Sequence, residues 1–514
     1  MFVVQLPHNI KELSWTSDYV LFIVPETVAH TGTGGNTVIS SDNYWLPLLF
    51  GLLTAKLPLH RELWQILPTL LFFATALIVG WSVARVASRR AALLAVLLAV
   101  IASPLALTFF MVCAHNVLYP SAALAGAYLV WLALGDGRRR ALALSVPLLA
   151  GVVLGMSAAS DLLVVPAALA PLAFTAVISG LRSERRSRIV SLSVLTSVIV
   201  AVPVAIATNA TMYSFGFKHI ETPWRLAPIS TLGERAELLF DGLQQLFNGF
   251  LDGPKGAGPL HYELGVASEV VMSAALLMLI VMGVRSAFKL LVSGWRKEGT
   301  EPTQLARSLH IVYWVVSAAC AGGAYWLAGD TGGGTVLHES YYGTIIFSVA
   351  AVVPLALSAG AFARRLILVG ASIFFAASVV GLSGDYVDVA ISKWISGIAP
   401  TVTRLAAAND VNYGYGGYWS GSAITWNTPV TVRPLMECEN PAGANICPFY
   451  DSTVPSWYIP QNRHTFLLID QRETFLQHLP EGLGPPLKQY QFGTTTMYIY
   501  PYDIASRIGP LPRG

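Results

Sequence analysis

Charge is scarce in this sequence. Only 12% of its 514 residues are Asp, Glu, Lys or Arg, against about 25% in an ordinary soluble domain. So few charges cannot clothe a soluble surface of this size. The 54% of hydrophobic residues and the mean hydropathy of +0.57 imply that the excess apolar surface faces lipid. Cysteine is also rare, and four residues are too few for a disulfide scaffold. There is no low-complexity tract and no repeat of fixed period, which excludes a solenoid. Neither a Gly-rich phosphate loop after a strand nor a Walker sequence occurs, so the chain carries no nucleotide-site fingerprint. The net charge of +3 says little, because the placement of the charges matters more than their sum.

What is present is a series of long apolar runs. A bilayer core of about 30 Å needs about 20 apolar residues in a helix. Ten segments qualify, near 63–84, 91–112, 117–135, 141–159, 162–180, 189–208, 267–288, 309–328, 343–362 and 366–383. Their connections alternate in charge. One set carries Arg85, Arg89 and Arg90; Arg138, Arg139 and Arg140; Arg182, Arg185, Arg186 and Arg188; Arg285, Lys289, Arg296, Lys297 and Arg307; and Arg364 and Arg365, which make 17 of the 32 basic residues. The other set, 113–117, 158–162, 209–266 and 329–342, holds only Lys218, Arg225, Arg235 and Lys255. The positive-inside rule puts the first set in the cytoplasm. The second set, residues 1–62 and the span-free tail then lie outside the plasma membrane. Topology accounts for the basic residues along the cytoplasmic rim, and no nucleic-acid partner is expected. Met1 to Leu6 reads as the last turn of something apolar, so an upstream helix and an eleventh span are expected.

The fold class that follows is an all-α polytopic membrane protein with external interfacial helices and a small C-terminal α/β domain. Three regions are expected: an external first loop (1–62), a transmembrane bundle (63–384) that includes an external loop at 209–266, and the C-terminal domain (385–514). Runs 19–29 and 44–55 read as short helices lying in the interface. So does 232–251, where Leu238, Leu239, Leu243, Leu246 and Phe247 recur at helical spacing. In the tail, Val430–Met436, Thr465–Asp470 and Thr495–Tyr500 have strand character, and Glu473–Leu479 reads as a short helix. On an outer face, Cys438 and Cys447 are expected to close a small loop by a disulfide. No second Cys or His pair is spaced to join them around a metal. Cys113 and Cys320 read as packing residues.

Acidic residues at the ends of spans are costly unless hydrated or used. Asp18 begins the first interfacial helix, and Asp161 sits in a tight hairpin between two spans. His115 occupies the preceding hairpin. A partly desolvated carboxylate there can act as a general base; equally, either Asp can simply cap the helix that follows. Lys218, His219 and Arg225 form a polar cluster in the loop after residue 209. His338, Tyr341 and Tyr342 precede a span, where Tyr rings serve as interfacial anchors or border a lipid phosphate. Tyr413-Gly414-Tyr415 and Tyr418-Trp419 suit sugar stacking or a packed turn, and taken alone favour packing.

Together these pieces resemble the GT-C superfamily of membrane glycosyltransferases, which includes the protein O-mannosyltransferases and the bacterial aminoarabinose transferases. The resemblance rests on Trp15-Thr16-Ser17-Asp18-Tyr19-Val20 in the first loop, the helix pair after it, the His338 to Tyr342 turn and the external C-terminal domain. It covers the layout of nearly the whole chain through short motifs. It implies a polyprenyl-phosphate sugar donor and an acceptor that is an envelope glycan, lipid or protein, with membrane lipids around the site. It implies Asp18 as catalytic base and Asp161 as a second acid of the same cleft. His338, Tyr341, Tyr342 and His115 would border the donor, and Lys218 or Arg225 would face its phosphate. Tyr415, Tyr418 and Trp419 would stack on sugar. Many members carry paired acids in the first loop, whereas here Asp18 stands between Ser17 and Tyr19. No cofactor is fixed by this pattern, and a divalent cation stays open. Two rivals are a transporter, disfavoured by spans nearly free of charge, and a non-catalytic glycan-binding anchor.

Overall fold

A computed structural model of the chain describes residues 16–32, 37–39, 45–101, 117–135, 145–182, 184–219, 226–248, 259–295, 301–327, 343–383, 390–440, 443–450 and 453–510. In chain order, α1 (Thr16–Thr31), β1 (Thr37–Ile39) and α2 (Trp45–Thr54) precede the long helices. Then come α3 (His60–Val86), α4 (Arg89–Val100), α5 (Leu118–Leu134), α6 (Ser145–Ser160) and α7, a π turn over Val165–Leu169 continued by Ala170–Gly180. Next are α8 (Arg185–Ser214), β2 (Phe217–His219), α9 (Leu232–Asn248), α10 (Pro259–Trp295), α11 (Pro302–Leu327), α12 (Thr344–Val352) and α13 (Ala361–Ser383). The tail contains α14 (Ala390–Ala408), β3 (Tyr413–Gly416), α15 (Tyr418–Asn427), β4 (Thr431–Glu437), β5 (Ile446–Pro448), β6 (Thr465–Asp470), β7 (Lys488–Phe492) and β8 (Thr495–Tyr500).

The described residues fall into two compact units. The first lies within Leu67–Asn209 and Pro223–Val387, and the second within Leu6–Ile66, Ala210–Thr222 and Asp388–Gly514. The loop expected at 209–266 is therefore divided, its opening residues belonging to the second unit.

The first unit is a helical bundle with α11 at its centre, touching α5, α7, α10 and α12. Of the apolar window of α11, 61% is buried, against 17% for α13. Every residue of α12 is buried. Outward-facing Leu77, Ile199, Ile206, Val281, Phe288 and Phe362 remain exposed, as lipid-facing residues must. Small residues let the helices approach. A methyl group on Gly151 would lie 2.7 Å from the Ser197 carbonyl oxygen, and one on Gly155 would lie 2.5 Å from that of Ala201. This Gly-x-x-x-Gly seam brings α6 onto α8, the device helices use where lipid removes any hydrophobic drive to associate. Ser197 Oγ donates to the Pro147 carbonyl at 2.9 Å across the same seam. The described parts of the expected spans are mostly helical, but the one expected at 343–362 is helical only over Thr344–Val352 before a 3-10 turn and a break at 359–360. Five are long and apolar enough to cross a membrane: Thr69–Val86, Arg185–Ser214, Glu263–Ser293, Pro302–Leu327 and Ala361–Val380. The others are shorter. After α12, for example, Pro354 lies in a 3-10 turn over Val353–Ser358 that replaces further α-helix.

The second unit is built on a six-stranded mixed sheet of order β5-β4-β3-β6-β8-β7. Strand β3 is parallel to both neighbours, β4 and β6, and the remaining pairings are antiparallel. The β3–α15–β4 segment is thus a parallel crossover, with the helix supplying the connection that a parallel pair requires. Tyr415, Leu435, Ile446, Leu467, Leu476, Tyr500 and Ile504 fill the core. The three strands expected from β-branched content are present, shifted by one residue in β4. Residues 473–479 do not form the expected helix. Their backbone is used elsewhere: Phe475 O accepts from Glu437 N at 2.8 Å, and the Glu437 carboxylate accepts from Gln477 N at 2.9 Å and His478 N at 3.0 Å. A helix there would have to surrender these bonds to the end of β4.

Candidate active site

Three segments that the charge pattern assigns to one face meet in the second unit. Helix α1 carries Asp18 in its first turn and packs against α2 and α15. Its buried face is Ile23, Val24, Pro25 and Val28, and Trp457 Nε1 donates to Thr27 Oγ1 at 3.2 Å. Strand β1 pairs in parallel with β2, matching Val38 with Lys218 and Ile39 with His219. Val38 also exchanges two backbone hydrogen bonds with Thr453 of the C-terminal domain, at 2.8 and 2.9 Å. Trp45, at the start of α2, is fully buried and meets Tyr213 and Phe217 edge-on at 6.1 and 6.4 Å. The first loop, the 210–219 segment and the tail are thus sewn together by backbone pairing, aromatic contacts and a side-chain bond. Lys218 is exposed on this assembly. The side chains of Asp18 and His219 lie outside the described residues.

Asp161 belongs to the first unit. It is 2% exposed, and its Oδ1 accepts from Leu163 N at 2.9 Å while its carbonyl accepts from Val164 N at 3.0 Å. This is the capping geometry that sequence alone allowed, at the turn leading into α7. Directly after it, Pro166 lacks the N–H that a regular helix would use, and the backbone widens into the π turn. Ser317 Oγ of α11 donates to the Ala167 carbonyl there at 2.6 Å.

The expected sugar-stacking residues are placed differently from a platform. Tyr415 is fully buried in β3, with its hydroxyl donating to Asp503 Oδ1 at 3.0 Å. Tyr418 is 5% exposed and stacks on Phe449 at 4.3 Å. Neither ring offers a face to solvent, because each fills the seam between sheet and helix; both act as packing residues. Trp419 is half-buried, edge-on to Tyr418 at 5.0 Å. Cys438 and Cys447 are joined by a disulfide. His115, Arg225, His338, Tyr341 and Tyr342 lie outside the described residues. Among the described residues, no group of three or more His, Cys, Asp or Glu converges to hold a metal ion.

Sequence reasoning missed the carboxylates that organise this unit. Asp503 accepts from Tyr415 and Ala505 N through Oδ1, and from Gln461 N and Arg463 Nε through Oδ2, all at 3.0–3.1 Å. Glu473 is fully buried, and its Oε1 accepts from Ser420 N at 2.7 Å and Ser420 Oγ at 2.6 Å, at the N-terminus of α15. Gly417 leaves room for it, since a side chain there would collide with the Glu473 carboxyl. Burial raises the Glu473 pKa above the usual carboxylate range, and these hydrogen bonds oppose the rise only in part. The local signal was weak, because both acids sit beside turn residues and make their contacts far along the chain.

No model of a protein family matches the sequence, and no curated protein matches it. Among solved structures, the chain is similar to an oligosaccharyltransferase of Archaeoglobus fulgidus. The complex of that enzyme with zinc and sulfate aligns at 12% identity and a TM-score of 0.43, over 81% of this chain and 58% of the archaeal one. Its apo form aligns at 13% identity and 0.43, over 81% and 60%. The form tethered by a disulfide to an acceptor peptide containing an NVT sequon gives 14% and 0.42, over 80% and 59%. The chain therefore spans less than two thirds of that enzyme's length, and a likeness of this size carries no argument about activity.

Proposed function

We propose that this chain is a membrane glycosyltransferase of the GT-C type, moving a sugar from a polyprenyl-phosphate donor to an envelope glycan, lipid or protein acceptor at the outer face of the plasma membrane. The observation that carries the reading is the gathering of the first-loop helix, the 210–219 segment and the C-terminal domain into one unit. These are the segments that charge alternation assigns to a single face, and one of them bears Asp18. The sequence motifs of the resemblance supply the chemistry.

In this reading, the Asp18 carboxylate takes the proton of an acceptor hydroxyl. The hydroxyl oxygen attacks the anomeric carbon from the side opposite the donor phosphate. The bond from that carbon to the phosphate oxygen breaks, and its electron pair leaves with the phosphate, so the configuration inverts. Lys218 offsets the charge that develops on the leaving phosphate.

The test is to incubate the purified protein with a panel of polyprenyl-phosphate sugars and follow donor loss by mass spectrometry. Asp18→Asn is expected to slow turnover by about 10²–10⁴-fold, the usual contribution of a general base. Absence of turnover with every donor by folded protein, or full turnover by Asp18→Asn, would overturn the assignment of Asp18.

A further inference from the structure

The arginines of the C-terminal sheet are not treated alike. Arg463 is held by Asp503 at 3.0 Å, and Arg472 by Asp470 at 3.2 Å. Arg433, on β4, has no carboxylate within ion-pair distance among the described residues. Its guanidinium lies over the Trp457 ring, 4.3 Å from the centroid, and stands 5.9 Å from the centre of the Tyr413 ring. Its Nε and Nη1 are buried with no hydrogen-bond partner, although the residue as a whole is only partly buried. Tyr413 is fixed in turn. Its hydroxyl donates to the Trp457 carbonyl at 2.8 Å, and Arg463 covers its ring at 3.5 Å.

Stacking on an indole satisfies the face of a guanidinium and leaves its edge unanswered. The N–H groups of that edge lie in one plane and fork onto paired oxygens, which is why arginine recognises carboxylate and phosphate in a bidentate manner. A covered cation with unused in-plane donors also calls for an explanation in a native structure, and an ion or ligand that completes it is one. We propose that Arg433, seated on Trp457 and Tyr413, is a binding site for one oxyanion group, a carboxylate or a phosphate monoester, carried by a ligand of the C-terminal domain. The same Trp457 donates to Thr27 of α1, so an occupied site would steady the helix that bears Asp18. The binding claim stands without the glycosyltransferase reading.

The experiment titrates the full chain in detergent with methyl phosphate and, separately, with acetate, following binding by calorimetry at fixed ionic strength. Saturable binding of at least one probe is expected in the wild type. Arg433→Met should abolish it, and Arg433→Lys, which keeps the charge but loses the fork, should weaken it at least tenfold. Trp457→Phe keeps a ring under the guanidinium and should leave binding within a few-fold of wild type. A preference for methyl phosphate identifies a phosphate ligand, and a preference for acetate a carboxylate one. Binding of neither probe, or equal binding by wild type and Arg433→Lys, would overturn the proposal. The lysine variant decides the matter if the methionine variant does not fold.

Discussion

In the helical unit, close contact is made where side chains are small. Gly151 and Gly155 bring α6 against the backbone of α8, and hydroxyl-to-carbonyl links such as those from Ser197 and Ser317 cross between helices. The second unit instead centres on buried carboxylates that gather hydrogen bonds from residues far along the chain, and adds a disulfide and stacked aromatic rings. The difference follows from the solvent each was built for. In lipid there is no water to flee, so helices gain by packing density and by closing the occasional polar gap. In water the burial of Leu467, Tyr500 and Ile504 drives folding, and a buried acid is affordable once it has paired partners.

The comparison can be broken from either side. The largest effect is expected at Asp503. Asp503→Ala strips the partner from Arg463 and leaves the Tyr415 hydroxyl unanswered, which should cost the second unit about 3–5 kcal/mol. Denaturant unfolding followed by tryptophan fluorescence checks this, and the helical content of the bundle should be unchanged. Next comes the disulfide. Replacing Cys438 and Cys447 by Ser frees a short loop, for which chain entropy gives about 2–3 kcal/mol, again confined to the second unit. Gly155→Val acts on the other side. It should force α6 from α8 at a cost of about 1–3 kcal/mol, read as a lower thermal midpoint of helix loss, while the sheet domain keeps its own transition. Were each variant to loosen both units equally, the two would be one cooperative body.

The smallest effect is a pH dependence. The folded Glu473 binds its proton more tightly than an unfolded glutamate does, whose pKa is about 4.3. Stability from this group is therefore complete below that value and falls as pH rises through the raised pKa. Glu473→Gln keeps an oxygen for Ser420 N and should flatten that slope, measured as the unfolding midpoint between mildly acidic and neutral pH.

The long helices and the strands β4, β6 and β8 were legible because hydropathy and β-branched runs report directly on lipid and sheet. The paired helices α1 and α2 were legible for the same reason. Harder was β3, where Tyr413 to Gly416 reads as a turn; its strand state is set by β4 and β6 on either side, which sequence does not bring together. Residues 473–479 have helical composition, but the end of β4 claims their backbone. Helix α14 went unread because Pro400 and scattered apolar residues fell below the length of a span. Of the candidate site, the positions of Asp18 and Lys218 in one unit follow the charge alternation. The roles of Arg433, Glu473 and Asp503 depend on contacts across tens of residues and left no local trace.

The claim that most of this account leans on is that the first loop, the 210–219 segment and the tail share the outer face. It is tested by single cysteines introduced at Lys218, at Leu487 and at Arg186, with Cys113 and Cys320 replaced by Ser, and labelled in intact cells with a membrane-impermeant maleimide. Lys218→Cys and Leu487→Cys, both at exposed positions, should label in intact cells, and Arg186→Cys only after permeabilisation. Labelling of Lys218→Cys and Leu487→Cys from opposite sides, or of Arg186→Cys from outside, would contradict it.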